Sequence, residues 1–381
     1  MKHLFWLLSC LLAFTCCKQA GTLGPRSERS VMEHAQLLTM EELGEGVTFC
    51  SVANPWMPER SIIRYLLVPK DAPDPEDSRL KQLEEEYGPV QILRTPLDRL
   101  ALTSTCYGWL LKELDARDHI GAICDKDYLL DEDLQMAVEN GQIADGGNSM
   151  DPNLESILHA RCEALWITPY ENAAVNTQGQ ELALPIIYGA DYMETSPLGR
   201  AEWIRFYGRL IGRGAEADSI FGVVKHDYDS LAQLNLKRPS ASRPKLLSDL
   251  PYSATWYVPG GCSSMGILYQ DAGFDYLWAS DPHAGSLALS PEAVLAQGAE
   301  ADVWLIKYNS SGSDLTLDNL QTQNPLFDRI KAVREHRVFG CNTAKINYFD
   351  IAPYRPDIIL KELSAISQET AREGRFFAPL Q

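Results

Sequence analysis

Short apolar runs separated by polar, turn-rich segments recur along the chain and predict alternating strands and helices. Two of these runs, residues 47–52 and 62–68, flank turn-like residues and predict an N-terminal hairpin. The first half continues with predicted strands at residues 90–93, 120–124, 164–169 and 185–188, and with predicted helices at residues 100–114 and 153–161. Because strands and helices alternate, we expect a parallel sheet covered on both faces.

The longest helical signal of the chain interrupts this rhythm. Ser196 is suited to cap a helix and Pro197 to occupy its first turn. Apolar residues then recur every three to four positions, with a pause at residues 212–214, which predicts a joining helix over residues 196–236. A basic, loop-like segment follows at residues 237–244. A second alternating half then has predicted strands at residues 254–258, 276–278, 302–306 and 337–340, and predicted helices at residues 263–272, 317–333 and 356–366. Two such halves joined by a long helix predict two stacked α/β lobes.

The N-terminus has the features of a secretory signal. A short basic start precedes an apolar run over residues 4–14, which is too short to span a bilayer as a helix. Cys16 and Cys17 come directly after it, as in a bacterial lipobox, where the thiol is acylated. We therefore predict a lipoprotein signal peptide over residues 1–17 and a tether over residues 18–42, with plain secretion as the alternative. Either cysteine fits as the acylated one, and the protein is expected in the periplasm on a lipid anchor.

Charge and cysteine content narrow the function classes. The 381 residues include 52 acidic and 34 basic side chains, a net charge of −18, which argues against nucleic-acid binding. Of the nine cysteines, six follow the signal, and no two of them have the CxxC spacing of a metal or redox site. Their apolar neighbours predict buried free thiols, although an oxidising compartment also allows a disulfide. These cysteines are Cys50, Cys106, Cys124, Cys162, Cys262 and Cys341.

The two halves share a weak internal similarity. In each, a helix with a glutamate in its first turn leads to a strand that bears a tryptophan. Glu155 precedes the strand at residues 164–167, and Glu292 precedes the strand at residues 302–306. An acidic group in a first turn also complements the helix dipole, so either glutamate has a structural explanation. The matched placement in both halves favours a shared function.

These elements, in this order, resemble the periplasmic substrate-binding proteins of ABC importers for iron–siderophores, haem and vitamin B12. The resemblance covers residues 91–367 and includes Leu93-Arg94-Thr95-Pro96 before a helix, the strand at residues 120–123, and the two glutamate-bearing helices. Residues 192–203 resemble the start of the joining helix in lipoprotein members from Bacteroidetes-type bacteria.

The resemblance implies an α/β fold with two Rossmann-like lobes. Their parallel sheets are joined by one long rigid helix, and the ligand cleft lies between the lobes. The predicted N-terminal lobe with its hairpin spans residues 43–195, the joining helix residues 196–236, and the C-terminal lobe residues 237–381.

The resemblance also implies partners and ligands. Glu155 and Glu292 match the lobe-tip glutamates that contact arginines of the importer's permease dimer. The cargo is expected to be a metal chelate, that is a ferric siderophore, haem or cobalamin, with no resident cofactor or metal. The ligand is expected between the lobes at the carboxyl ends of the strands, where aromatic rings suit large flat chelates. Candidate binding residues there are Tyr107, Tyr128, Asn148, Tyr170, Glu171, Asn172, Tyr192, Trp256, Tyr257, Trp278, Tyr308, Asn309 and Tyr348.

Rival hypotheses have less support in the sequence. The glycine-rich residues 260–266 follow a strand but lack the spacing of a nucleophile elbow, and the Walker and dinucleotide-binding patterns are missing, so an enzyme is disfavoured. His283 is a loop residue that is more simply solvated than bound to a haem iron. A lipid-anchored surface protein that contacts a protein or an outer-membrane receptor is the remaining alternative.

Overall fold

The protein is described by a computed structural model that covers residues 30–57, 59–171, 184–370 and 374–381. The predicted signal peptide, with Cys16 and Cys17, and the candidate ligand residue Asn172 lie outside the described residues. The prediction of an α/β fold with parallel sheets and a long helix is confirmed.

A four-stranded sheet forms the N-terminal part of the molecule. Its strands, in sheet order, are β1 Leu38–Gly44, β2 Val47–Ala53, β3 Ser61–Pro69 and β4 Gln91–Thr95. The predicted hairpin is confirmed, because β2 and β3 pair in antiparallel register. Strand β4 pairs with β3 in parallel, and the crossover between them contains helix α1, Asp77–Tyr87.

The predicted tether is wrong for residues 30–42. Strand β1 lies partly within that range, and Met32, Ala35 and Leu37 are buried in the core. The physical reason is a pair of buried carboxylates that fix this segment from the other side of the chain. Glu202 accepts hydrogen bonds from the backbone N–H groups of residues 33–35 at 2.7–2.8 Å, and Glu194 accepts those of residues 36 and 37 at 2.9 Å.

The N-terminal lobe contains a five-stranded sheet whose strands all run parallel, in the order β11-β10-β5-β6-β7. The strands are β5 Leu100–Leu102, β6 Ile120–Ile123, β7 Ala144–Asp145, β10 Ala164–Ile167 and β11 Ile186–Tyr188. The helices are α2 Thr105–Glu113, α3 Glu132–Glu139 and α4 Leu154–His159, and a small ribbon pairs β8 Gly147–Asn148 with β9 Asp151–Pro152. The helix predicted from residue 100 begins at Thr105, because residues 100–102 are buried strand residues.

The C-terminal lobe repeats this plan. Its main sheet has the order β15-β12-β17-β18-β19, with only β19 antiparallel to its neighbour. These strands are β12 Lys245–Ser248, β15 Asp275–Tyr276, β17 Val303–Tyr308, β18 Val338–Asn342 and β19 Ala378–Pro379. A second sheet consists of β13 Pro251–Tyr252, β14 Thr255–Pro259 and β16 Ser286–Leu289. The helices are α8 Ser264–Asp271, α9 Pro291–Gly298, α10 Leu317–Gln323, α11 Lys331–Arg334, α12 Tyr348–Ile351 and α13 Pro356–Ser367.

The joining region is three helices rather than the single helix predicted from residue 196. They are α5 Pro197–Glu202, α6 Ile204–Leu210 and α7 Gly214–Leu236, and only α7, with 23 residues, is long. The first break is a tightened turn in which the Trp203 N–H bonds to Arg200 O, three residues back. The second break is at Gly212, whose φ of +71° is a left-handed conformation that ends a helix.

Helix α7 packs against α6 of the preceding region and against α13 of the C-terminal lobe. Its buried Asn235 fixes the second contact, since the side-chain amide donates to Ser364 Oγ at 2.7 Å. Among the described helices, none has both the length and the apolar character needed to cross a membrane.

Candidate functional site

A pocket of about 290 Å³ lies at the carboxyl edge of the N-terminal lobe sheet. Three neighbouring strands end there: β5 before Thr103, β6 before Asp125, and β10 at Ile167 and Thr168. This edge of an open α/β sheet is where such folds bind ligands. The pocket is lined by Thr103, Ser104, Thr105, Asp125, Tyr128, Ser149, Met150, Ile167, Thr168 and Tyr170.

Asp125 organises one wall of this pocket. It follows β6 in a left-handed conformation, with φ of 55°, which is uncommon for a residue other than glycine. Its Oδ1 accepts a hydrogen bond from the Ser149 N–H at 3.0 Å, and its carbonyl accepts one from the Tyr128 N–H at 2.9 Å. One residue therefore connects the end of a strand, the loop of the β8–β9 ribbon and the backbone of Tyr128.

Two tyrosines and a methionine supply the exposed apolar surface. Tyr128 is 71% exposed and Met150 58% exposed, whereas Tyr170 is 37% exposed. Single exposed apolar side chains are common on protein surfaces, but here three of them lie around one pocket, where they can contact a ligand. Together with five serine and threonine hydroxyls, they give the pocket a polar floor and an aromatic rim.

The C-terminal lobe contacts the N-terminal lobe beside this pocket. Thr105, in the pocket wall, donates its hydroxyl to Asp350 Oδ1 of α12 at 2.8 Å. Burial raises the pKa of Asp350. At the other end of α2, Glu113 pairs with Arg355 at 3.3 Å. The pocket therefore opens next to the junction of the two lobes.

Cys106 and Cys124 are each next in sequence to a residue that lines the pocket. Burial raises the pKa of both thiols to about 12, so they remain protonated at neutral pH and are poor nucleophiles. Five of the six cysteines predicted as free thiols are free, namely Cys50, Cys106, Cys124, Cys162 and Cys341. Cys262 is the exception, because it is disulfide-bonded.

The structure brings together only some of the predicted ligand residues. Tyr128 and Tyr170 line the pocket, and the exposed Glu171 follows Tyr170 in the chain. Tyr192 does not line the pocket, and its hydroxyl donates a hydrogen bond to Pro169 O at 2.6 Å. Asn148 shapes the ribbon instead of lining the pocket, since its side chain accepts a hydrogen bond from Met150 N–H at 2.8 Å.

Four predicted ligand residues are buried, so the prediction that their rings line an open cleft is wrong. These residues are Tyr107, Trp256, Trp278 and Tyr348. Tyr107 stacks on Trp166 with ring centroids 4.2 Å apart and shares a hydrogen bond with Thr168 Oγ1 at 3.0 Å.

The other three are held by equally specific contacts in the C-terminal lobe. Trp256 donates Nε1–H to Ser248 O at 3.0 Å, and Trp278 packs edge-on against Tyr276. Tyr348 lies against Phe376 and Phe377 and directs its hydroxyl to a methionine sulfur. Buried aromatic rings with satisfied polar atoms are a feature of protein cores.

The remaining predictions in the C-terminal lobe concern exposed or half-buried residues. Tyr257, on β14, is about half exposed, and Asn309 is exposed just after β17. Tyr308 ends β17, and its hydroxyl is 3.4 Å from Asp314 Oδ1. Their roles in ligand binding stay predictions.

Sequence reasoning missed most of the pocket lining because it selected aromatic residues. Besides Met150 and Ile167, the missed residues are small and polar: Thr103, Ser104, Thr105, Asp125, Ser149 and Thr168. The available signal was position, since Thr103 and Thr168 are the first polar residues after two buried strands.

No resident metal site was predicted. Within the described ranges, no group of three or more His, Cys, Asp or Glu side chains is arranged to hold a metal ion. His283 is an exposed loop residue whose Nδ1 lies 2.8 Å from Asp281 Oδ1.

Glu155 and Glu292 occupy matched positions. Each is exposed in the first turn of its helix, α4 or α9. Each helix has a side-chain cap: Asn153 Oδ1 accepts the Ser156 N–H in α4, and Ser290 Oγ accepts the Ala293 N–H in α9. Because neighbouring polar residues already cap both helix starts, the two carboxylates are available to a partner.

The chain is similar to known binding proteins. Residues 100–344 match the model of a family described as periplasmic binding protein. An uncharacterized lipoprotein of Methanocaldococcus jannaschii is 25% identical over 323 residues, which are 82% of this chain and 74% of the relative. The N-terminal sheet, residues 38–95, precedes the matched family region.

Solved structures share the fold. A periplasmic haem-binding protein of Pseudomonas aeruginosa has a TM-score of 0.57 and 17% identity, covering 75% of this chain and 98% of that chain. A structure of an ABC-type Fe³⁺-hydroxamate transport system from Saccharomonospora viridis has a TM-score of 0.54 and 17% identity, covering 74% and 95%. CeuE of Helicobacter pylori with bound Ni(II) has a TM-score of 0.56 and 16% identity, covering 73% and 86%. The chain belongs to the periplasmic binding protein family.

Proposed function

We propose that this protein is the lipid-anchored solute-binding component of an ABC importer, and that it delivers a metal chelate to the permease dimer. The observation that carries the proposal is the pocket at the carboxyl edge of the N-terminal lobe sheet, beside the junction of the lobes. The similar structures that are named for haem, Fe³⁺-hydroxamate and Ni(II) support a metal-containing cargo. A ferric siderophore, haem and cobalamin are the candidate classes.

The composition of the pocket suits an amphipathic chelate. Tyr128, Met150 and Tyr170 offer apolar area to the organic shell of such a ligand, and the hydroxyls offer hydrogen bonds. A volume of about 290 Å³ is at the small end for a ligand site, so this pocket takes one edge of the chelate. The rest of the chelate would face the C-terminal lobe.

The ligand class is tested with the purified full chain and candidate cargos. A ligand present at about 100 times its Kd stabilises the folded state by about 2.7 kcal/mol, which a thermal-shift measurement detects. We expect one class of metal chelate to raise the melting temperature. The same organic chelator without its metal should leave the melting temperature unchanged. If no ferric siderophore, haem or corrinoid raises the melting temperature, the proposal fails.

The aromatic rim gives a mutational prediction. The double variant Tyr128→Ala/Tyr170→Ala is expected to weaken chelate binding by roughly tenfold to a hundredfold, because exposed rings at a binding site contribute a large share of the affinity. Isothermal titration measures the change. The matched control is Tyr252→Ala, since Tyr252 is 79% exposed and does not line this pocket. Equal affinities of the double variant and the native chain would contradict the assigned site.

The anchor gives a separate prediction. We expect a labelled fatty acid that is fed to cells to be incorporated into the native chain. One of the two substitutions, Cys16→Ala or Cys17→Ala, should abolish the label, and it identifies the acylated cysteine. Two hydrophobic acyl chains suffice for stable membrane attachment, so the unlabelled variant should leave the membrane fraction. Labelling that persists in both variants and in the double variant would refute the anchor.

A further inference from the structure

Among the ten residues that line the pocket, Asp125 is the only one with a carboxylate side chain, and none is Lys, Arg or His, so the wall carries one formal charge, which is negative. Its Oδ1 accepts the Ser149 N–H, which holds the carboxylate in the wall. The other polar groups are hydroxyls, which hydrogen-bond to neutral and charged ligands alike.

Four of the described basic side chains around the same edge of the two sheets form ion pairs with carboxylates. In the N-terminal lobe, Lys126 follows Asp125 but places its Nζ 2.6 Å from Asp145 Oδ2. In the C-terminal lobe, Lys307 of β17 lies 2.7 Å from Asp249 Oδ1, and Lys345 after β18 lies 3.1 Å from Asp314 Oδ1. Arg355, at the junction of the lobes, bonds both Glu113 and Asp357. For any of these four cations to pair with an anionic ligand, its present ion pair would have to break.

The field of the whole chain acts in the same direction. The net charge of −18 repels an anion as it approaches, and a like charge placed against Asp125 costs binding free energy because the pocket is partly shielded from water. A neutral ligand meets neither repulsion. A cationic ligand is attracted both by the net charge of the chain and by Asp125.

We propose that the cargo is a chelate without net negative charge, such as a neutral or cationic ferric trihydroxamate, and that Asp125 selects against anionic chelates. Ferric tricatecholates, which are trianions, and haem, which carries two propionates, would be excluded. This inference rests on the proposed function, because it assigns a charge class to the chelate of the same site.

The test measures affinities for chelates that differ in charge. Isothermal titration of the full chain would use a neutral ferric trihydroxamate, a cationic ferric trihydroxamate, cobalamin, haem and a trianionic ferric tricatecholate. We expect binding of at least one neutral or cationic chelate and binding weaker by a hundredfold or more for the two anionic ones. Preferred binding of haem or of the tricatecholate would overturn the inference but keep the proposed function, whereas binding of none would overturn both.

Variants assign the selectivity to one carboxylate. Asp125→Asn retains the side-chain oxygen that accepts the Ser149 N–H, so the wall keeps its shape. This variant should bind the anionic chelates on the order of tenfold more tightly, and a cationic chelate on the order of tenfold more weakly. The control is Asp118→Asn, which makes the same charge change just before β6, at the opposite end of that strand, on a fully exposed side chain. Equal effects of the two variants would mean that net charge, and not Asp125, sets the preference.

Discussion

Replacement of both Glu155 and Glu292 by alanine is expected to abolish ligand transport while ligand affinity stays unchanged. Each glutamate is exposed in the first turn of a helix, one per lobe, and lies outside the pocket lining. A symmetric permease dimer presents the same surface twice, so one acidic anchor per lobe suits it. Charge pairs of this kind orient the binding protein on its permease and set the rate of association. Because the double variant loses both pairs, we expect docking to fail.

The experiment needs transport and binding measured on the same variants. Uptake of radiolabelled metal chelate by cells reports transport, and titration of the purified chain reports affinity. A matched control is Glu139→Ala/Glu300→Ala, which removes one exposed carboxylate from each lobe at positions outside first turns. Normal uptake by the Glu155/Glu292 variant, or a loss of its ligand affinity, would show that these residues do not dock the permease.

The Glu202→Ala substitution should destabilise the folded chain by about 3–5 kcal/mol, because three backbone N–H groups lose their acceptor at about 1–3 kcal/mol each. The Glu202 carboxylate is fully buried and accepts the N–H groups of residues 33–35. It also pairs with Arg205, at 3.3 Å. Its removal leaves three backbone donors and a guanidinium without this acceptor and frees the segment that leads into β1.

Urea unfolding gives the loss of stability, and hydrogen exchange at residues 33–35 locates it. Glu202→Gln, which keeps an oxygen acceptor but loses the charge, should lose less than the alanine variant. The exposed Glu216→Ala is the control, since its pair with Arg213 is on the surface and should change stability by less than about 1 kcal/mol. If Glu202→Ala unfolds at the same urea concentration as this control, the carboxylate does not hold the N-terminal segment.

The same region shows where sequence reasoning reached its limit. The apolar pattern predicted the hairpin of β2 and β3 correctly, because each strand is a local run. Strand β1 was missed, and residues 33–37, which lead into it, were predicted to be part of a tether. These residues have few apolar side chains that would indicate burial. What fixes them are carboxylates about 160 residues later in the chain, and no local pattern reports such a contact.

The aromatic residues give the second example. Tyr107, Trp256 and Tyr128 were all predicted to bind the ligand at the carboxyl ends of the strands. The structure buries the first two against other rings and leaves Tyr128 exposed over the pocket. Burial depends on which faces the elements turn toward each other, and an isolated aromatic residue fits a core or a rim equally well.

The sequence by itself determined the class of fold, the presence of a long helix and the placement of Glu155 and Glu292 in the first turns of matched helices. These features follow from local periodicity and capping, which are properties of consecutive residues. Only the tertiary structure decided which hydroxyls share a pocket with Tyr128 and Tyr170, that Asp125 is the single charge in its wall, and that the N-terminal segment is part of the folded body. Those are contacts between residues far apart in the chain, and they exist only when the strand ends are brought to one edge of the sheet.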